Sequence, residues 1–250
     1  MVTFSELENY GRLGNQLFQI ATVFSHAKKN SFDYGFKNWK YNEYLKTPLP
    51  YFIGECLSTH REKDPFTYNE IPNINSINLL GYYQNEKYFN QYKDSLNKLF
   101  EPSDKVKEIL KDELSYYVGQ RITAIHVRRG DYLKLPLHHP IPSVDYYLSS
   151  MESLKKITDV FMVFSDDIEW CKNNFSDDVI FSETKDEFID LYKMSMCDNF
   201  IISNSSFSWW GSYLNNNNPV VIAPDPWVGT GYKNTGWEGV YRNKMIKKCY

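Results

Sequence analysis

Cysteine is scarce in this chain of 250 residues: Cys56, Cys171, Cys197 and Cys249 lie far apart and show no Cys-x-x-Cys spacing. That excludes a disulfide-stapled scaffold, leaves no pattern for a structural zinc site and reads as reduced thiols in a cytoplasmic protein. An excess of positive charge is missing too, since Lys and Arg total 28 against 31 for Asp and Glu, a net charge of -3. Nucleic acid is therefore not an expected partner, because phosphate-backbone binding needs a basic face. No apolar run reaches the roughly 18 residues of a membrane-spanning helix. Residues 1–10 contain Glu6 and Glu8 without a basic start, so they do not read as a signal peptide. There is no internal repeat, no Gly-x-Gly-x-x-Gly fingerprint and no Gly-Lys-Ser/Thr phosphate loop. What the chain has in abundance is aromatic: 20 Tyr, 16 Phe and 6 Trp, 17% of all residues. Such residues fill cores, and exposed ones stack on sugars and bases.

The second half alternates between strand and helix patterns. Strands are predicted at 121–127, 159–164, 179–181, 200–202 and 219–223. Helices are predicted at 143–156 with Ser143 as N-cap, at 166–174, from Thr184 through a Thr184–Glu187 capping box, and at 206–215. This alternation predicts a parallel, doubly wound sheet covered on both faces. The first half is less regular. A strand at 2–7, a helix at 15–29, a strand at 77–80 and helices at 88–100 and 103–114 are expected, while 37–75 gives no clear pattern. The pattern restarts near Val118-Gly119, which places a domain boundary there, with domains 1–117 and 118–250.

Four segments carry polar chemistry where strands hand over to helices. His126-Val-Arg-Arg-Gly-Asp-Tyr132 ends a hydrophobic strand, the place where open α/β sheets bind ligands. Adjacent arginines there suit a phosphate group, which a guanidinium meets with a two-bond fork. A structural pairing of Arg128 or Arg129 with Asp131 is the alternative to that phosphate site. Ser203-Asn-Ser-Ser-Phe-Ser-Trp-Trp210 opens a helix, so its free N–H groups and hydroxyls offer either an anion site or a plain serine N-cap. Phe207, Trp210, Gly211 and Leu214 share one face of that helix, and Gly211 is expected to let it approach the sheet. Gly11-Arg-Leu-Gly-Asn-Gln16 opens the first helix. Asp166 and Asp167 follow a strand; Asp166 with Glu169 fits a helix cap, and recognition of sugar or base hydroxyls is the alternative. No Asp-x-Asp triplet, the usual holder of a divalent cation on a nucleotide diphosphate, occurs in the chain, which leaves the arginines to neutralise any such group.

Taken together and in this order, the four segments resemble family 11 glycosyltransferases, the α-1,2-fucosyltransferases, over roughly residues 2–227. The resemblance implies a GT-B-like α/β fold, two Rossmann-like halves facing a cleft, with the N-terminal half on the acceptor side and the C-terminal half binding the GDP-sugar. It implies GDP-β-L-fucose as donor, inversion at the anomeric carbon, no required metal or cofactor, and a glycan acceptor whose galactose 2-OH takes the fucose. A lipid-linked acceptor would bring the protein to a membrane surface without a spanning segment. Where the family usually has Gly, this chain has Arg12, as protein O-fucosyltransferases do.

Arg128 is the expected stabiliser of charge on the β-phosphate, with Arg129 second because neighbours on a strand point to opposite faces. Ser205, Ser206 and Phe207 would complete the phosphate site, with Asp166 and Asp167 also at the donor. The resemblance places Arg12, Gly14 and Asn15 at the donor from the opposite half, Asn15 among the catalytic residues. Asp131 and His126 are the candidate general bases. The competing readings are a transferase for another GDP-sugar or a protein acceptor, and a non-catalytic carbohydrate-binding protein.

Overall fold

The computed structural model describes residues 1–232 and 234–250. They form two compact units: residues 1–107 with 234–241, and 108–232 with 242–250. The division falls inside a helix upstream of the expected Val118-Gly119 boundary, and a short late segment returns to the first unit.

The first unit holds a parallel sheet of β1 (Val2–Thr3), β2 (Ser58–Arg61) and β3 (Ile77–Leu80), in the order β1-β3-β2. A parallel bridge from Val2 to Tyr34 extends it on the far side of β1. The strand expected at 2–7 is thus only two residues long: the N–H groups of Leu7 and Asn9 turn back to the carbonyls of Phe4 and Glu6. Helix α1 (Leu13–Asn30) buries Leu17, Ile20 and Ala21 and ends at Ser31 in the left-handed conformation, with Lys28 and Lys29 complementing its C-terminal dipole. The expected helix at 88–100 is two short turns followed by α2 (Lys93–Leu99), and α3 (Asp104–Glu113) follows.

The second unit is a six-stranded, wholly parallel sheet. It comprises β4 (Ile122–Val127), β5 (Val160–Ser165), β6 (Ile180–Phe181), β7 (Asn199–Ile201), β8 (Val221–Asp225) and β9 (Met245–Cys249), in the order β6-β5-β4-β7-β8-β9. All six residues of β4 are buried, as a central strand covered on both faces requires. The helices between strands are α4 (Val144–Leu154), α5 (Ile168–Asn174), α6 (Glu187–Ser195) and α7 (Ser206–Leu214). Ser143 caps α4 through the Tyr146 N–H, as the sequence implies.

Three local expectations are corrected. The cap of α6 is Asp186, which accepts from the N–H groups of Phe188 and Ile189, not Thr184; the capping-box spacing starts two residues too early. The cap of α5 is Asp167, accepting from the Trp170 N–H at 3.2 Å, which releases Asp166 for another role. Gly211 permits close approach to α6 rather than to the sheet, since a Cβ there would strike the sulfur of Met194.

Candidate functional site

The order of the large sheet fixes where its ligand crevice lies. From β4 the chain moves outward to β5 and β6, then returns to the other side of β4 to lay down β7, β8 and β9. The direction of winding reverses between β4 and β7, and ligands of open α/β sheets bind outside the carboxyl ends of the strands at such a switch point. The segments leaving β4 and β7 are the arginine pair and the serine-rich turn. Register brings β5 level with β4, His126 beside Phe164 and Val127 beside Ser165, so Asp166 and Asp167 emerge next to Arg128 and Arg129.

The arginines are held by carboxylates. Arg128 donates from Nη2 to Asp131 Oδ1 at 2.6 Å and pairs through Nη1 with Asp166 Oδ2 at 2.9 Å. Its guanidinium carbon lies 5.4 Å from the centre of the Tyr132 ring. Arg129 donates from its backbone N–H to Asp166 Oδ1 at 2.9 Å and from Nε to Asp167 Oδ2 at 3.1 Å, and stacks 4.0 Å over Trp170. The two side chains are only 15% and 17% exposed. At each, a guanidinium carries five N–H groups, so donors remain beyond those the carboxylates take. Gly130 makes the arrangement possible, because a Cβ there would collide with Asp166 Oδ2. The structural pairing and a ligand-binding role are therefore compatible: the carboxylates fix the guanidiniums without exhausting them.

The serine turn is anchored from beneath. His126 Nδ1 lies 2.9 Å from the hydroxyls of both Ser203 and Ser208. Burial, with the Arg128 charge added, pushes the His126 pKa down to about 3, so the ring is neutral across the physiological range. Ser205 caps α7, its hydroxyl accepting from the Phe207 N–H, while Ser206 and Phe207 are half-buried. Trp209, Trp210 and Tyr213 are buried and form the packing face of α7; Phe207 instead rests against the His126 ring at 5.3 Å. Tyr132 donates its hydroxyl to the Asn204 carbonyl at 3.1 Å and stacks on His139 at 4.4 Å. Burial pushes the Tyr132 pKa up to about 12, so it stays a donor. Asn204 reaches the carbonyls of Pro140 and Trp227. Tyr132, Trp170 and Asn204 were not singled out from the sequence. Tyr132 ends the arginine motif and Trp170 lies three residues past Asp167, so spacing alone could have flagged both.

The second unit thus gathers His126, Arg128, Arg129, Asp131, Asp166, Asp167, Ser205, Ser206 and Phe207 at one sheet edge. Arg12, Gly14 and Asn15 belong to the first unit. There Arg12 is the exposed N-cap residue of α1, Gly14 is buried in its first turn, and Asn15 Oδ1 accepts from Gln84 Nε2 at 2.7 Å. Among the described residues no group of three or more His, Cys, Asp or Glu is placed to hold a metal ion, and no helix is long and apolar enough to cross a membrane.

The architecture is that of GT-B-like glycosyltransferases. It resembles the crystal structure of apo POFUT1 with a TM-score of 0.55 at 12% identity, over 87% of this chain and 94% of that one. It also resembles an Arabidopsis thaliana FUT1 mutant solved with GDP, with a TM-score of 0.54 at 14% identity, over 91% of this chain and 73% of that one. The chain belongs to glycosyl transferase family 11, whose model matches residues 4–246. Among relatives, an alpha-1,2-colitosyltransferase of Escherichia coli is 39% identical over 168 residues, 61% of this chain and 56% of that protein. A galactoside alpha-(1,2)-fucosyltransferase 2 of Oryctolagus cuniculus is 24% identical over 251 residues, 85% of this chain and 67% of that protein. The matches to the E. coli relatives thus take in little more than half of their length, 56% and 58%.

Proposed function

We propose that this protein transfers L-fucose from GDP-β-L-fucose, with inversion, to the 2-OH of a terminal galactose on a glycan. The observation that carries the reading is the pair of carboxylate-held arginines at the switch point, beside the capped N-terminus of α7. As the sugar–phosphate bond breaks, negative charge grows on the β-phosphate. Arg128 is the fixed, partly desolvated cation that would stabilise that charge, and Asp131 and Asp166 hold its guanidinium in position. The hydroxyls of Ser205 and Ser206 and the first N–H groups of α7 supply further donors. His126, buried and neutral beneath the turn, is suited to holding Ser203 and Ser208 in place. Of the two base candidates Asp131 is the more exposed, so the proton is assigned to it, and an oxocarbenium-like path needs only a weak base. Two guanidiniums carry the charge a divalent cation would otherwise balance, so no metal enters the scheme.

A second donor sugar is favoured by one observation, the 39% identity to an alpha-1,2-colitosyltransferase: colitose, carried in this scheme on the same GDP as GDP-colitose. The test is incubation with a panel of sugar nucleotides and β-galactoside acceptors in excess EDTA, reading free GDP and product linkage. Release of GDP with GDP-fucose, and an α-1,2 product, is the expected result. Transfer from GDP-colitose alone would move the assignment to that donor. Turnover that stops on chelation and returns with Mg²⁺ or Mn²⁺ would refute the metal-free scheme, and glycan binding without GDP release from any donor would refute the enzyme.

A further inference from the structure

The first unit has a switch point of its own. From β1 the chain runs through α1 to Tyr34 on one side, then lays β2 and β3 on the other, so the reversal falls between β1 and β3. The segments leaving those two strands are knitted into one surface. Gln19, fully buried on α1, donates from Nε2 to the carbonyls of both Tyr10 (2.9 Å) and Gly81 (3.2 Å). Gln84 donates to Asn15 Oδ1. The rings of Tyr10 and Tyr82 meet at 5.8 Å with a tilt of 58°, and Arg61 Nη1 donates to the Tyr10 hydroxyl at 3.2 Å.

The turn at 81–84 is held in a conformation that its sequence does not favour. Tyr83 has a φ of +53°, in the left-handed region that a bulky residue adopts only under constraint. The constraint is Glu62, at the carboxyl end of β2. Its Oε2 accepts from the Tyr82 N–H at 2.6 Å and its Oε1 from the Tyr83 N–H at 2.8 Å. Gly81, with φ +150°, leaves room for the Glu62 side chain. Tyr83 is thereby buried, with its hydroxyl toward the carbonyls of His60 and Leu80, and its neighbour Tyr82 is turned outward, 38% exposed.

We infer that Tyr82 and Tyr10 form a stacking platform for a pyranose ring of the acceptor, and that Glu62 is the positioning residue that presents it. The ligand class follows from the surroundings. A tilted aromatic pair offers apolar ring faces, Arg61 adds a charged donor at the Tyr10 hydroxyl, and the linked amides of Asn15 and Gln84 belong to the segments that follow Tyr10 and Tyr82, a combination that suits a ring with one C–H face and several hydroxyls. A β-galactoside has such a face, because its axial 4-OH leaves the opposite face lined with C–H groups. The inference rests on the acceptor-transfer reading for its choice of sugar and on the geometry of the first unit alone for its location.

Saturation-transfer NMR with methyl β-D-galactopyranoside, irradiating the aromatic protons of the protein, tests it directly. Wild type should pass saturation to the ring C–H protons; Tyr82→Ala should weaken binding about tenfold, which in signal means near loss. Tyr82→Phe should retain the signal, and Glu62→Gln, which places an amide N–H against a backbone N–H, should reduce it. A thermal melt of each variant confirms folding, and Tyr82→Phe serves as the reference if Tyr82→Ala is unstable. In parallel, the acceptor KM should rise in Tyr82→Ala while kcat changes less. No signal from wild type, or an equal signal from folded Tyr82→Ala, overturns the platform. Titration of GDP into wild type separates the two readings: GDP binding without galactoside binding spares the transferase, and galactoside binding without GDP binding spares only the platform.

Discussion

Lowering the pH from 7 to 5 should remove the stability that one buried side chain contributes at neutral pH. His126 sits beneath the serine turn with its pKa pushed from 6.5 down to about 3, chiefly by burial and secondly by Arg128. A folded pKa below the unfolded value means that the unfolded chain binds the proton more readily. The stabilising contribution is therefore complete above pH 6.5 and is lost as the pH falls toward the folded value. Linkage with those two values gives a loss of about 2 kcal/mol between pH 7 and pH 5. Other groups titrate nearby in pH. His26, pushed down to about 4 by burial, acts in the same direction, while Glu62 and Asp190, pushed up to about 7 and about 6, oppose it. The measurement is therefore a difference: urea melts of wild type and His126→Asn at both pH values. Asparagine retains hydrogen-bonding groups toward Ser203 and Ser208 and does not titrate. The stability advantage of wild type over the variant should shrink by about 2 kcal/mol from pH 7 to pH 5. A gap that stays constant to within about 0.5 kcal/mol would show that His126 is not buried in its neutral form, and the account of how the serine turn is anchored would fall with it.

Arg128→Ala should cut turnover at least about 100-fold, and Arg128→Lys should recover little, since an ammonium cannot reproduce two forked contacts. Retention of a tenth of wild-type turnover by Arg128→Ala would refute the assignment; a melt should accompany it, because Asp166 loses its cation. Replacing Ser205 and Ser206 together by Ala should weaken GDP binding in calorimetry, each lost bond to a charged group being worth roughly 1.5–3 kcal/mol; a less stable protein with unchanged GDP affinity would reduce the turn to a helix cap. Asp190 is pushed up to about 6 by burial, with its Oδ1 accepting from Ser182 and with Lys193, Glu113 and Asp186 nearby. Its folded pKa is raised, so its contribution is favourable below the ordinary carboxylate range and is lost as pH rises through about 6. Asp190→Asn should therefore gain stability relative to wild type between pH 5 and pH 8, and the opposite trend in paired melts would contradict its burial.

The second unit was legible because its elements are written in local pattern. β4 is a run of apolar and β-branched residues, α4 opens on Ser143, and α7 opens on Ser205, so periodicity and caps located them within a residue or two. The first unit was legible only in part: α1, β3 and α3 lie within two residues of where pattern put them, but β2 is the alternately exposed Ser-Thr-His-Arg, and it becomes a strand only by pairing with β3. β9 was missed for a similar reason, since Lys247 and Lys248 mask an edge strand that is defined by β8. The arginine motif could be read, but its partners could not. Asp166 and Asp167 lie nearly forty residues away, and only the register of β4 with β5 brings them together. Glu62 gave no signal at all, because its role depends on the backbone of a turn in another strand's exit.

The late return of the chain to the first unit has a consequence for its synthesis. Residues 234–241 complete the first unit, Gly236 donating its N–H to Asp64, and β9 then completes the large sheet. Neither unit is finished when its main body emerges from the ribosome, and both wait for the same short stretch that follows β8. Until that stretch arrives, β8 stands as an open edge with its ladder groups unpaired, the kind of surface on which nascent chains stick to one another. A premature stop near residue 233 would thus leave both units incomplete, and its product should be a substrate for holding chaperones rather than a half-active enzyme.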